Sequence, residues 1–154
     1  MINVFLGDAK SRSAAWKQIR QQIQQQPDPD VKLDLALQFW KQASFEKPTI
    51  DWDNCASWPS AWDLINNNCY CTNAHSLGVA HTLLLADHMF DDLELHLIQD
   101  REYHIQKIVV SWHNWYLNHG YLDKIHRNSL ASISIQNAWA WHSKNWSQID
   151  QNKR

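Results

Sequence analysis

The 154 residues suit a single domain with one hydrophobic core. Apolar residues make up 44% and charged residues 19%, so a globular fold is expected rather than a disordered or fibrous one. Net charge is −2 with histidine neutral and no basic block stands out, so neither nucleic acid nor an anionic membrane is an expected partner.

The start, MINVFLGDAKSR, has no basic leader followed by a long apolar run, and no apolar stretch is long enough to span a bilayer. Cys55, Cys69 and Cys71 are an odd number without secretory context, so a reducing compartment fits better than a disulfide framework. A cytoplasmic location is expected, or the virion for a phage-borne chain. Ten tryptophans let a short chain build a dense core, and most of them sit inside apolar patterns.

Residues 12–26 read as a helix with Trp16, Ile19 and Ile23 on one face. Pro27-Asp28-Pro29-Asp30 ends it, and Asp30 is the expected N-cap of a second helix running to about Ser44. Leu33, Ala36, Leu37 and Trp40 recur there at helical spacing, so the two helices should form an antiparallel pair. Pro48 and Pro59 bracket an irregular stretch, DWDNCASW, and a short helical turn follows from Ala61 to Asn66. After Asn66-Asn67-Asn68, a loop signal, a third helix is expected from Thr72 to Asp87. Its buried face should carry Ala74, Leu77, Gly78, His81, Leu84 and Leu85, with Gly78 admitting a close neighbour.

The period then changes. Leu93, Leu95 and Leu97 alternate with Glu94, His96 and Ile98, a strand signal. Asp100-Arg101-Glu102 reads as a turn, Ile108-Val109-Val110 as a second strand, and His113-Asn114 as a tight turn before Trp115-Tyr116-Leu117. Ile133 and Ile135 alternate with Ser132 and Ser134 in an expected last strand, and the tail after Trp146 should fray. Helices first and an antiparallel sheet afterwards indicate an α+β fold.

A cysteine just before a helix gains from the partial positive charge and free N–H groups there, which favour thiolate over thiol. A histidine can then hold the proton, and a carboxamide or carboxylate can orient that histidine. Cys71 fits this place best and Cys69 second, and His104 and Asn118 follow in the order such a triad uses.

At these residues the chain resembles the bacterial transglutaminase-like cysteine proteinases. Their pattern is an amphipathic helical region, a D…W…W-x-T-P-x-E stretch and a G-D-C-E-D helix start. A histidine strand, an L-D-N strand end and a closing strand follow. Here the pieces are the 31–44 helix, Asp51…Trp58-Pro59-Ser60-Ala61-Trp62, NNNCYCTNAHSLG, the 104–112 strand, Leu117-Asn118-His119 and ISIQNAWAW. The resemblance implies N-terminal helices packed on an antiparallel sheet and a cysteine hydrolase or acyl transferase acting on peptide or glutamine-like amides. Cys71 would be the nucleophile, His104 the base and Asn118 its orienter, with backbone N–H groups and Trp58 near the oxyanion.

The departures are specific. The Gly-Asp before the cysteine and the acidic residues after it, which supply calcium ligands in some members, are absent, and Tyr70 and Thr72 flank Cys71 instead. No metal or cofactor is therefore expected, and zinc on Cys69, Cys71, His75 and His81 lacks a matched ligand pair. Strand arithmetic adds a constraint. If His113-Asn114 is a two-residue turn, Trp112 faces Trp115, Val110 faces Leu117 and Val109 faces Asn118. His104 then lies about 16 Å along its strand from the level of Asn118 and faces Asp123.

Three arrangements stay open: Cys71-His104-Asn118 after a bulge near Gly120, Cys71-His104-Asp123, or no triad. In the last, Lys107 or Gln106 holds the histidine's level, and the chain is an inactive relative serving as a structural or interaction protein. Either way the expected partner is a peptide or protein. Trp139, Trp141 and Trp146 could instead form a peptide or sugar patch, but an edge strand covering the core accounts for them more simply.

Overall fold

The computed structural model describes residues 3–44, 50–67, 70–142 and 144–150. The described residues form an α+β fold of four α-helices and a six-stranded antiparallel sheet. The helices are α1 (Ala9–Gln25), α2 (Pro29–Lys41), α3 (Ala61–Asn67) and α4 (Thr72–Ala86).

The starts of α1 and α2 are set by carboxylates, and the one at α2 is not the expected Asp30. Asp8 caps α1 by accepting from the Ser11 N–H, so the helix begins before residue 12. Asp28, not Asp30, caps α2: its side chain accepts from the Asp30 N–H, and Pro29 occupies the first turn, where a missing N–H costs nothing. The helix also stops at Lys41, short of Ser44.

Helix α4 is the axis of the molecule. It packs on α1, α2, α3 and the sheet, and is buried almost all round rather than along one stripe. Leu85, expected in the core, is 47% exposed. Gly78 faces α2 so closely that a Cβ there would lie 2.5–2.7 Å from three carbons of the Trp40 indole. One turn further on, Thr82 Oγ1 accepts from the indole N–H of Trp16 (2.9 Å) and of Trp40 (2.8 Å), and donates to the Gly78 carbonyl (2.7 Å). Both lone pairs and the proton of this buried hydroxyl are used.

The strands are β1 (Glu94–Asp100), β2 (Ile105–Trp112), β3 (Trp115–Leu117), β4 (Lys124–His126), β5 (Ile133–His142) and β6 (Asn145–Gln148), ordered β4-β3-β2-β1-β5-β6. Leu95, Leu97, Ile108, Val110, Trp112, Leu117 and Trp139 join the helical core, while Ile98, Val109 and Tyr116 form a smaller apolar cluster. The turn at His113-Asn114 gives the expected pairs Trp112–Trp115 and Val110–Leu117. Two strands were not expected. β4 is only three residues long, and β6 lies partly where the tail was expected to fray, paired with β5 through Trp141–Trp146.

β3 pairs with β2 only over Val110–Trp112. Beyond that, Ile108 N–H donates to Asn73 Oδ1 (2.9 Å) and the Ile108 carbonyl accepts from Ser76 Oγ (2.7 Å). The first turns of α4 thus cap the strand edge, which fixes the helix start against the sheet. Among the described residues no helix is long and apolar enough to cross a membrane.

Replacing Thr82 by valine keeps the shape and orphans two buried indole N–H groups. We expect Thr82→Val to lower unfolding free energy by about 2–4 kcal/mol in urea titrations.

Candidate functional site

Cys71 is the N-cap of α4. Its backbone is extended (φ −98°, ψ 176°) and its carbonyl accepts the first helical bond from His75 N–H (3.0 Å). The residue is 5% exposed at the end of a 15-residue helix, where the helix field favours an anion. Its position is held from behind by Tyr70, which packs on Phe5 and Trp40 and donates its hydroxyl proton to the Leu64 carbonyl. Cys69, the second candidate nucleophile, lies outside the described residues.

Asn118 follows β3 with a positive φ of 70°, a conformation asparagine tolerates. Its Nδ2 donates to the Thr72 carbonyl (3.0 Å) and to Ser76 Oγ (2.7 Å). Its Oδ1 accepts from Leu122 N–H (2.9 Å) and faces Lys107 Nζ (3.5 Å). Lys107 also donates to the Gly120 carbonyl (2.8 Å). Burial lowers the Lys107 pKa to about 8, partly opposed by the Asp123 carboxylate.

Lys107, not His104, is therefore the β2 side chain that reaches Asn118. His104 sits exposed at the β1–β2 turn, with φ 54°, three residues short of that level. Asp123 is not turned to His104 either. Its carboxylate accepts from Gly120 N–H (2.8 Å) and its carbonyl from Asn118 N–H (2.8 Å), closing the 118–123 loop. Gln106, the other residue weighed for this level, is exposed and bonds Gln136. Trp58 stands apart from Cys71: it lines a different cavity, and its indole N–H donates to the Asp51 carbonyl (2.7 Å). His75 Nε2 lies 3.3 Å from the Ala43 carbonyl and His81 packs against Trp141 and Trp146, so these two imidazoles turn to different neighbours. Among the described residues no three His, Cys, Asp or Glu side chains converge on a point that could hold a cation.

The same contacts reveal a pair that sequence reasoning missed. His119 Nε2 donates to Asp100 Oδ2 at 2.8 Å, and Asp100 is fully buried. Burial pushes the Asp100 pKa up, but hydrogen bonds from Ser132, His119 and the N–H groups of Tyr103 and Glu102 outweigh it and hold the carboxylate below its usual range. Asp100 had read as a polar turn residue, and nothing local ties it to a histidine 19 positions away. Cys71, Thr72, His104, Lys107 and His119 line one groove of about 660 Å³.

Comparison with solved structures supports the architecture. The chain is similar to Legionella pneumophila LapG, with a TM-score of 0.72 and 15% identity over 96% of this chain and 83% of LapG. It is also similar to calcium-bound LapG (TM-score 0.73, 15% identity, 94% and 85% covered) and to EGTA-treated LapG (0.73, 14%, 96% and 84%). At this identity the likeness shows a divergent transglutaminase-like fold. No protein-family model and no curated protein matches the sequence.

A buried amine with a lowered pKa makes stability rise with pH. Between about pH 8 and the ordinary lysine range the unfolded chain binds the proton that the folded chain has released. Chemical denaturation should show Lys107→Met removing up to roughly 3 kcal/mol of that rise relative to the wild type.

Proposed function

We propose that this chain uses a transglutaminase-like fold to bind a peptide or protein segment, and that it does not hydrolyse or transfer amides through a cysteine–histidine triad. The observation that carries this is the Lys107 ammonium resting on Gly120 O and Asn118 Oδ1, where a triad would need an imidazole. A general base must take the thiol proton and return it to the leaving amine, which works best with a pKa near the working pH. An amine with a pKa of about 8 is mostly protonated at neutral pH, and both of its oxygen neighbours favour that form. Asn118 has no valence left to orient a histidine, because its two donors and its oxygen are already engaged. The groove beside Cys71 has room for a short stretch of extended chain.

A second reading is favoured by one observation. His119, held by buried Asp100, lines the groove that Cys71 lines, so a Cys71–His119–Asp100 set would supply an oriented imidazole from the other side.

An acyl-donor assay separates the two. With p-nitrophenyl acetate and peptide esters, the binding reading expects no stoichiometric burst that depends on Cys71. A burst abolished by Cys71→Ala would contradict it, and loss of that burst in His119→Gln would establish the second reading. In the binding reading, peptides selected by display on the wild type bind Cys71→Ala unchanged and lose affinity for Thr72→Trp, which fills the groove.

A further inference from the structure

Strand β2 lies inside the sheet, between β1 and β3, yet part of its edge has no neighbouring strand. β3 pairs with it only from Val110 to Trp112, and the chain then turns away at Asn118, where φ is 70°. The 118–123 loop closes through the Asn118 N–H and the Asp123 carbonyl (2.8 Å) and leads into β4. Beyond Leu117 the place beside β2 that a longer β3 would fill is left to α4 and the groove.

Backbone groups along this edge follow a fixed alternation. In an antiparallel ladder one residue turns its N–H and C=O to one neighbouring strand, and the next residue turns its pair to the other. Ile108 turns both groups away from β1, since its N–H donates to Asn73 Oδ1 (2.9 Å) and its carbonyl accepts from Ser76 Oγ (2.7 Å). Gln106, two residues earlier, therefore turns its own N–H and C=O to the same edge. Among the described residues no group bonds either of them. Gln106 is exposed and lines the groove with Cys71, Thr72 and Asn73. Its side chain bonds Gln136 of β5, across β1 and away from the bare edge, so the backbone stays accessible. An unpaired edge is a template for another chain, and here the cover given by β3 and α4 stops where the groove begins.

We propose that the peptide held in the groove adds to β2 as a short strand, pairing its backbone with the N–H and C=O of Gln106. This rests on the peptide-binding reading and specifies how the peptide is held. The recognised group is main chain, so the partner is an extended segment with a free N–H at the pairing position, and proline is excluded there. A helix or a folded surface cannot supply the pair, because its amides are already bonded internally. The register has a stop: at Ile108 the Asn73 and Ser76 side chains already hold the ladder groups. Pairing is thus confined to Gln106, and in either strand orientation a single peptide N–H meets its carbonyl.

The test titrates the full chain by calorimetry with the tightest peptide selected on it from a random linear display library. Thr72→Trp, which fills the groove, should abolish binding. Backbone N-methylation of the peptide, one residue at a time, should weaken binding about tenfold at one position. The two adjacent positions should stay within about threefold, since their N–H groups point away from β2. Gln106→Pro removes the edge N–H and should weaken binding about tenfold, whereas Gln106→Ala keeps it and should change affinity less than about threefold. The N-methyl scan uses the wild-type protein, so it decides the question even where the proline variant misfolds. A groove-bound peptide indifferent to N-methylation at every position overturns strand addition and leaves the peptide-binding reading standing. No selected peptide, or one that Thr72→Trp does not displace, overturns both.

Discussion

The side chain of Asn118 ties together the parts that make up the groove. It joins the end of β3 to the first turn of α4 through Thr72 and Ser76, to the 118–123 loop through Leu122, and to β2 through Lys107. Only a carboxamide can do this, since it must donate toward a carbonyl and a hydroxyl while accepting from an N–H and an ammonium. An aspartate here would set a carboxylate oxygen against the Thr72 carbonyl.

The rest of the molecule holds α4 still while Asn118 fixes its start. Thr82 binds two tryptophans from α1 and α2, Gly78 lets the Trp40 ring approach, and Asn73 and Ser76 cap the edge of β2. The axial helix is thereby pinned at several points. Cys71, at its mouth, inherits a rigid position whether or not it reacts.

Much of this was legible in the sequence, for identifiable reasons. Leucine alternation at 93–97 and the His113-Asn114 turn marked β1 and the β2–β3 hairpin, and turn arithmetic then gave the observed register. That register argued against His104 meeting Asn118 and left Lys107 as a candidate for its level. Cys71 at a helix start was readable from the polar loop before it. Other features were not local. β4 and β6 are too short to carry a period and exist through their neighbours. The burial of α4 on almost every side leaves little amphipathic contrast to read. The His119–Asp100 pair and the bare edge of β2 beside α4 depend on residues distant in the chain, so only the fold reveals them.

The account turns on which group accompanies the Cys71 thiol, and the pH dependence of its alkylation by iodoacetamide measures this directly, with mass spectrometry reading the site. A thiol served by no imidazole should show a rate profile without an inflection in the histidine range, at about pH 6.5, unaltered by His104→Ala and His119→Ala. A plateau of reactivity entered through that range, and lost when either histidine is removed, would mean that an imidazole serves the thiol and would contradict the account.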